Sequence, residues 1–106
     1  MNLTNRDLRK LKGLAQRLEP MLKIGRNGVS AAFVLEMTTA LANHELVKIK
    51  FDEFKDQKRE LANDIAAKTD SRIVMQVGHV SVFYRQQPDA ARRKIALPAR
   101  ESGETP

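Results

Sequence analysis

The stretch Met21-Leu22-Lys23-Ile24-Gly25-Arg26-Asn27-Gly28-Val29-Ser30 passes from a short strand, through a loop bracketed by glycines, into the start of a helix. Met21 to Ile24 form the strand candidate. Ser30 is a suitable N-cap, because its hydroxyl accepts from an N–H of the first helical turn. Val34, Met37 and Leu41 then recur at helical spacing, with Phe33 and Ala40 alongside, and give the helix its apolar stripe. A strand leading straight into a helix sets an α/β alternation. The loop also has chemistry. Glycines permit left-handed backbone angles and let a ligand approach the main chain. A helix start offers unpaired N–H groups and a partial positive charge, which suit phosphate. Arg26 adds a full charge on a forked donor. The bare G-x-x-G spacing serves as well for a plain structural turn, and the loop alone leaves both readings open.

Upstream, Pro20 cannot continue a helical ladder and ends the first helix. That helix lies in MNLTNRDLRKLKGLAQRL. Thr4 and Asp7 have capping-box spacing, with Asp in place of the usual Glu or Gln. Leu8, Leu11, Ala15 and Leu18 form one buried stripe. The segment is basic and amphipathic like a mitochondrial transit peptide, and it lacks the apolar core of a secretory signal. The capping box and the leucine stripe favour a structural helix. Arg6, Lys10, Gly13 and Arg17 fall in a narrow stripe opposite the leucines. The chain has 19 Lys and Arg against 13 Asp and Glu, for a net charge of +6. Residues 1–28 hold seven basic side chains and two acidic ones, so nearly all the excess lies in the first quarter.

Downstream, the second helix ends near Asn43-His44-Glu45. Leu46 to Phe51 alternate, with Val47, Ile49 and Phe51 on one face and Leu46, Lys48 and Lys50 on the other. This predicts a half-buried strand whose open face carries two lysines. Asp56 is placed to cap a third helix running to about Lys68, with Leu61, Ala62, Ile65 and Ala66 inward and Thr69-Asp70 closing it. Ser71 to Val77 and Val80 to Arg85 are two further strands joined at Gly78-His79. Arg92 to Leu97 suggest a short edge segment. The expected order is α-β-α-β-α-β-β. The fold class is α/β, a two-layer sandwich of three helices on a mixed sheet of about four strands. Residues 1–98 are expected to form one domain, and 99–106 a disordered tail.

Composition narrows the function. In 106 residues, 42% are hydrophobic, there is no Cys, and there are two His. Thiol catalysis, disulfides and thiolate metal sites are excluded, and a reducing cytoplasm is the default compartment. No apolar run approaches the roughly 20 residues of a membrane span. No G-x-S-x-G elbow, H-E-x-x-H or Walker loop occurs. Asp52 and Glu53 fall in a loop where carboxylates are ordinary. His44 at a helix end suits capping, and His79 lies in a hairpin turn. The expectation is a basic binding domain that is not an enzyme, with no cofactor, metal or small-molecule substrate.

The motifs then converge on a family. Leu11, Ala15, Leu18 and Pro20 lead into Ile24-Gly25-Arg26-Asn27-Gly28. Ala40-Leu41, His44-Glu45-Leu46-Val47-Lys48, Val77-Gly78, Tyr84-Arg85 and Lys94-Ile95-Ala96-Leu97-Pro98 follow in order. From about Leu3 to Leu97 the chain resembles the YhbY family, the stand-alone bacterial versions of the CRM domain. The resemblance implies an RNA-binding domain with a fold like the C-terminal domain of translation initiation factor three. It also implies association with precursors of the large ribosomal subunit. The family loop is usually Gly-Lys-x-Gly, likened to that of KH domains, and Arg26 stands at the Lys position.

The residues and the resemblance lead to one expected mechanism. Gly25, Arg26, Asn27 and Gly28 clamp RNA backbone at the start of the second helix. Arg6, Lys10 and Arg17 on the first helix, Lys23 beside the loop, and Lys48 and Lys50 on the strand extend the positive track. The chain has four Phe and one Tyr. Phe33 and Phe51 read as core, so phosphate contacts are expected to dominate over base stacking. The expected partner is ribosomal RNA of the large-subunit precursor, bound by a monomer. Two rival readings stand beside it: a membrane-surface protein using the first helix, and a protein-interaction module on the ribosome.

Overall fold

A computed structural model describes residues 2–97. The predicted tail, 99–106, lies outside the described residues. Helix α1 spans Asn5–Ala15, strand β1 Leu22–Ile24, helix α2 Ala31–His44 and strand β2 Leu46–Phe51. Helix α3 spans Lys58–Thr69, and strands β3 and β4 span Arg72–Val77 and Val80–Tyr84. This is an α/β fold of three helices and a mixed four-stranded sheet in the order β1-β2-β4-β3. β1 pairs in parallel with β2, which requires a crossover, and α2 supplies it. The other pairings are antiparallel. The β3–β4 hairpin turns at Gly78, whose φ of +59° explains the glycine there.

Local signals set the helix starts. The Thr4 hydroxyl accepts from Asp7 N, and Thr4 N donates to the Asp7 carboxylate, both at 3.0 Å. The Ser30 hydroxyl accepts from Phe33 N at 3.1 Å. Asp56, in contrast, caps nothing. Lys55–Gln57 form a 3-10 turn, and α3 begins at Lys58 behind Gln57, which makes no side-chain cap bond. The cause is Phe54, which takes a left-handed conformation (φ 57°) and turns the chain two residues before Asp56. Nor does Pro20 end α1. The helix stops at Ala15, and bonds from Arg17 N to Leu14 O and from Leu18 N to Ala15 O tighten the exit. Arg17 therefore lies beyond the helix.

Apolar groups pack on both faces of the sheet. Phe33, Met37, Leu41, Ala62 and Ile65 of α2 and α3 meet Ile24, Val47, Ile49, Phe51 and Phe83 on one face. On the other, Leu11 and Ala15 of α1 join Leu46, Val74, Val82, Tyr84 and Leu97. Burying each large side chain contributes about 1.5–3 kcal/mol. The strand face predicted to be open is thus closed at its first residue, because α1 and the C-terminal segment cover Leu46. Leu11 and Ala15 are fully buried there.

Arg92 to Leu97 do not form an edge strand. Ala90–Arg92 make a 3-10 turn, and the backbone beyond turns to a side chain instead of a neighbouring strand. That side chain is Glu45, 1% exposed, which follows α2 in a positive-φ conformation. Its carboxylate accepts from Gln87 N at 2.8 Å, Lys94 N at 2.6 Å and Ile95 N at 2.9 Å. Its own carbonyl accepts from Arg85 N. Glu45 holds the chain after β4 against the sheet.

Candidate nucleic-acid interface

β1 delivers the chain to Gly25, and Gly28 N donates back to Gly25 O at 3.0 Å, closing a four-residue turn. Arg26 and Asn27 occupy its tip, both exposed. Gly28 has φ +60°, while Gly25 has no positive φ. Ser30 follows as the cap of α2, so the turn runs into a helix start with its orphan N–H groups. The two glycines therefore differ in role. Gly28→Ala is expected to cost about 1–2 kcal/mol, because a Cβ is strained in the left-handed region. The new Cβ would also stand 3.4 Å from Cε2 of Phe54. Gly25→Ala meets nothing within 4 Å and is expected to leave stability nearly unchanged. Thermal melts of the two variants check this. Equal losses would show that backbone conformation is not what Gly28 supplies.

Lys23 and Lys50 stand beside the turn. They are Cα partners in the β1–β2 ladder, both exposed, and they share the sheet face opposite Val47, Ile49 and Phe51. Two like charges on adjacent strands favour an anion between them. The Lys50 ammonium also lies 3.8 Å from Asp52 Oδ1, an exposed pair of small energetic weight. Lys48 is differently employed. It is half-buried, and its Nζ donates to Leu18 O at 2.8 Å, fastening the exit of α1 to β2.

The basic residues of α1 lie apart from this group. α1 packs on β2, β3 and β4 through Leu46, Val74, Val82 and Tyr84. The row Arg72–Tyr84–Leu46 marks the sheet end away from the loop. Arg72 reaches Asn2, just ahead of α1, at 3.5 Å, so Arg6 belongs to that end. Lys10 donates to Ala96 O of the C-terminal segment. Arg17 is exposed in the turn after the helix, next to the Leu18 that Lys48 holds. The fold brings Lys23, Arg26 and Lys50 together. It does not bring Arg6 and Lys10 to them.

One neighbour of the loop was not legible in the sequence. Phe54 lies against Gly28, with three of its ring carbons 3.4–3.8 Å from where a Gly28 Cβ would stand, and keeps 40% of its surface exposed. Asp52 N and Glu53 N both donate to Ile24 O, tying the β2 exit to the foot of the loop. No local pattern marks Phe54, because its position depends on the left-handed turn it makes.

Comparison with known proteins places the chain in a family. The family model for the CRS1 / YhbY (CRM) domain matches residues 3–85. An RNA-binding protein of Haemophilus influenzae is 35% identical over 97 residues, spanning 91% of this chain and 95% of that one. A Pseudomonas aeruginosa protein described as a probable RNA-binding protein is 30% identical over 89 residues, spanning 83% and 86%. Among solved structures, a hypothetical Staphylococcus aureus protein considered an RNA-binding candidate superposes with a TM-score of 0.75. It is 31% identical, and the match spans 92% of this chain and all of that one. The chain belongs to the CRS1/YhbY (CRM) domain family.

Proposed function

We propose that this protein binds ribosomal RNA of large-subunit precursors and assists their assembly, holding the RNA backbone on the Gly25–Gly28 turn. The observation that carries the reading is Arg26 at the tip of a turn that enters a helix start, with Lys23 and Lys50 paired beside it. Backbone phosphates meet a forked guanidinium, two ammonium groups and the positive end of α2. Relatives named as RNA-binding proteins support RNA as the ligand, and the large-subunit precursor follows from the family resemblance. In this reading residues 1–98 act as one domain, monomeric and cytoplasmic, and the protein is a binding factor without catalysis. Insertion of α1 into a membrane surface is disfavoured, since Leu11 and Ala15 of its apolar stripe are fully buried against the sheet. Among the described residues, no helix is long and apolar enough to cross a membrane.

Salt titration tests the reading. If Lys23, Arg26 and Lys50 each neutralise a phosphate, log affinity for single-stranded RNA should fall linearly with log salt, with a slope of about −2, from about 0.7 per contact. Fluorescence anisotropy with a labelled oligonucleotide between low and moderate salt measures it. A flat response would remove the electrostatic basis of the proposal.

A further inference from the structure

We propose that Phe54 is a base-stacking platform: a nucleotide whose phosphate rests on the Gly25–Gly28 turn lays its base on the Phe54 ring. The inference rests on the phosphate-binding reading of the turn and adds what that site does with the base. Phe54 is a large apolar side chain in a left-handed conformation (φ 57°), a conformation costly for a bulky residue. The fold does not use that cost to bury the ring. Phe54 belongs to neither core cluster and remains 40% exposed, whereas Phe51, Phe83 and Tyr84 are at most 1% exposed and Phe33 is 7% exposed. One part of the ring leans on Gly28, which keeps it beside the turn. The bonds from Asp52 N and Glu53 N to Ile24 O fix the spacing between the turn and the segment that carries the ring.

Charge gives the nucleotide a direction. Lys23 and Arg26 lie on the β1 side and Lys50 pairs with Asp52 at the boundary, while Glu53 and Asp56 line an open hollow with Phe54, Lys55 and Gln57. Carboxylates repel phosphate and accept hydrogen bonds from base amino groups. The backbone is thus directed to the turn and the base to Phe54. Such a pairing needs an unstacked base, so the site selects single-stranded RNA over duplex.

Three probes test this on the full chain: oligoadenylate, an RNA duplex of matched length, and inorganic polyphosphate, which carries charge without bases. Phe54→Leu keeps an apolar contact on Gly28 and removes the aromatic face. Its affinity for oligoadenylate should fall about tenfold, with polyphosphate binding unchanged. The parent should prefer oligoadenylate to the duplex. The chain has no Trp, so Phe54→Trp introduces the only indole. Its fluorescence should be quenched by oligoadenylate and not by polyphosphate. Equal weakening toward oligoadenylate and polyphosphate would assign Phe54 to support of the turn alone and overturn the proposal. So would unchanged oligoadenylate affinity in Phe54→Leu, or an unquenched indole, even where Arg26→Asp still abolishes binding. A parent that binds neither oligoadenylate nor polyphosphate would instead remove the phosphate reading beneath it.

Discussion

Glu45→Ala is expected to destabilise the protein by about 3 kcal/mol or more, since each N–H left without its acceptor costs about 1–3 kcal/mol. Three such donors depend on this carboxylate: Gln87 N, Lys94 N and Ile95 N. The loss should be local before it is global. Released from Glu45, the chain beyond β4 loses its hold on the sheet, and Leu97, now 1% exposed, leaves the cluster with Leu11 and Leu46. Hydrogen exchange should show the amides of Gln87, Lys94 and Ile95 deprotected, while those inside the β2–β4 ladder stay slow. Urea denaturation gives the size of the effect. Glu45→Gln should fall between, because its amide keeps one acceptor oxygen and turns an NH2 toward a backbone donor. A Glu45→Ala protein as stable as the parent would mean that the C-terminal segment is held by apolar contact alone.

What the sequence disclosed and what it hid divide by the distance between partners. The Thr4–Asp7 box, the Ser30 cap and the Gly78 turn each involve residues no more than four positions apart, and each was legible as a local pattern. Alternation in residues 46–51 showed which side chains share a face, but not what covers that face. Leu46 looked exposed only because α1 arrives from thirty or more positions away. Lys48 finds its acceptor 30 residues back, and Glu45 finds its donors 42 to 50 residues ahead. No periodicity registers such bonds. The charge surplus behaved alike. It was correctly located in the first quarter of the chain, yet topology divides it, leaving Lys23 and Arg26 near the loop and Arg6 at the far end of the sheet. Phe54 escaped because no periodicity or motif includes it, and a left-handed Phe is too uncommon to expect.

Replacing Arg26 and Asn27 together with Asp should lower RNA affinity at least tenfold, about 1.4 kcal/mol, without loss of stability. Both side chains are exposed at the tip of the turn, and the turn's closing bond joins Gly25 and Gly28, which are retained. Asp is well suited to turn positions, and a carboxylate near the start of α2 is favourable to the helix. Melting temperature should therefore hold or rise slightly while binding falls. That opposition separates a ligand site from a structural element, where the two would decline together. The same substitution should also reduce the salt slope by about 0.7 for the contact that Arg26 makes. Lost affinity with an unchanged slope would mean that the carboxylates act by general repulsion and that Arg26 touches no phosphate. If the double variant folds and binds like the parent, the Gly25–Gly28 segment is only a turn. The RNA would then have to be held by the Lys23–Lys50 face and by Arg17, which lies past the end of α1.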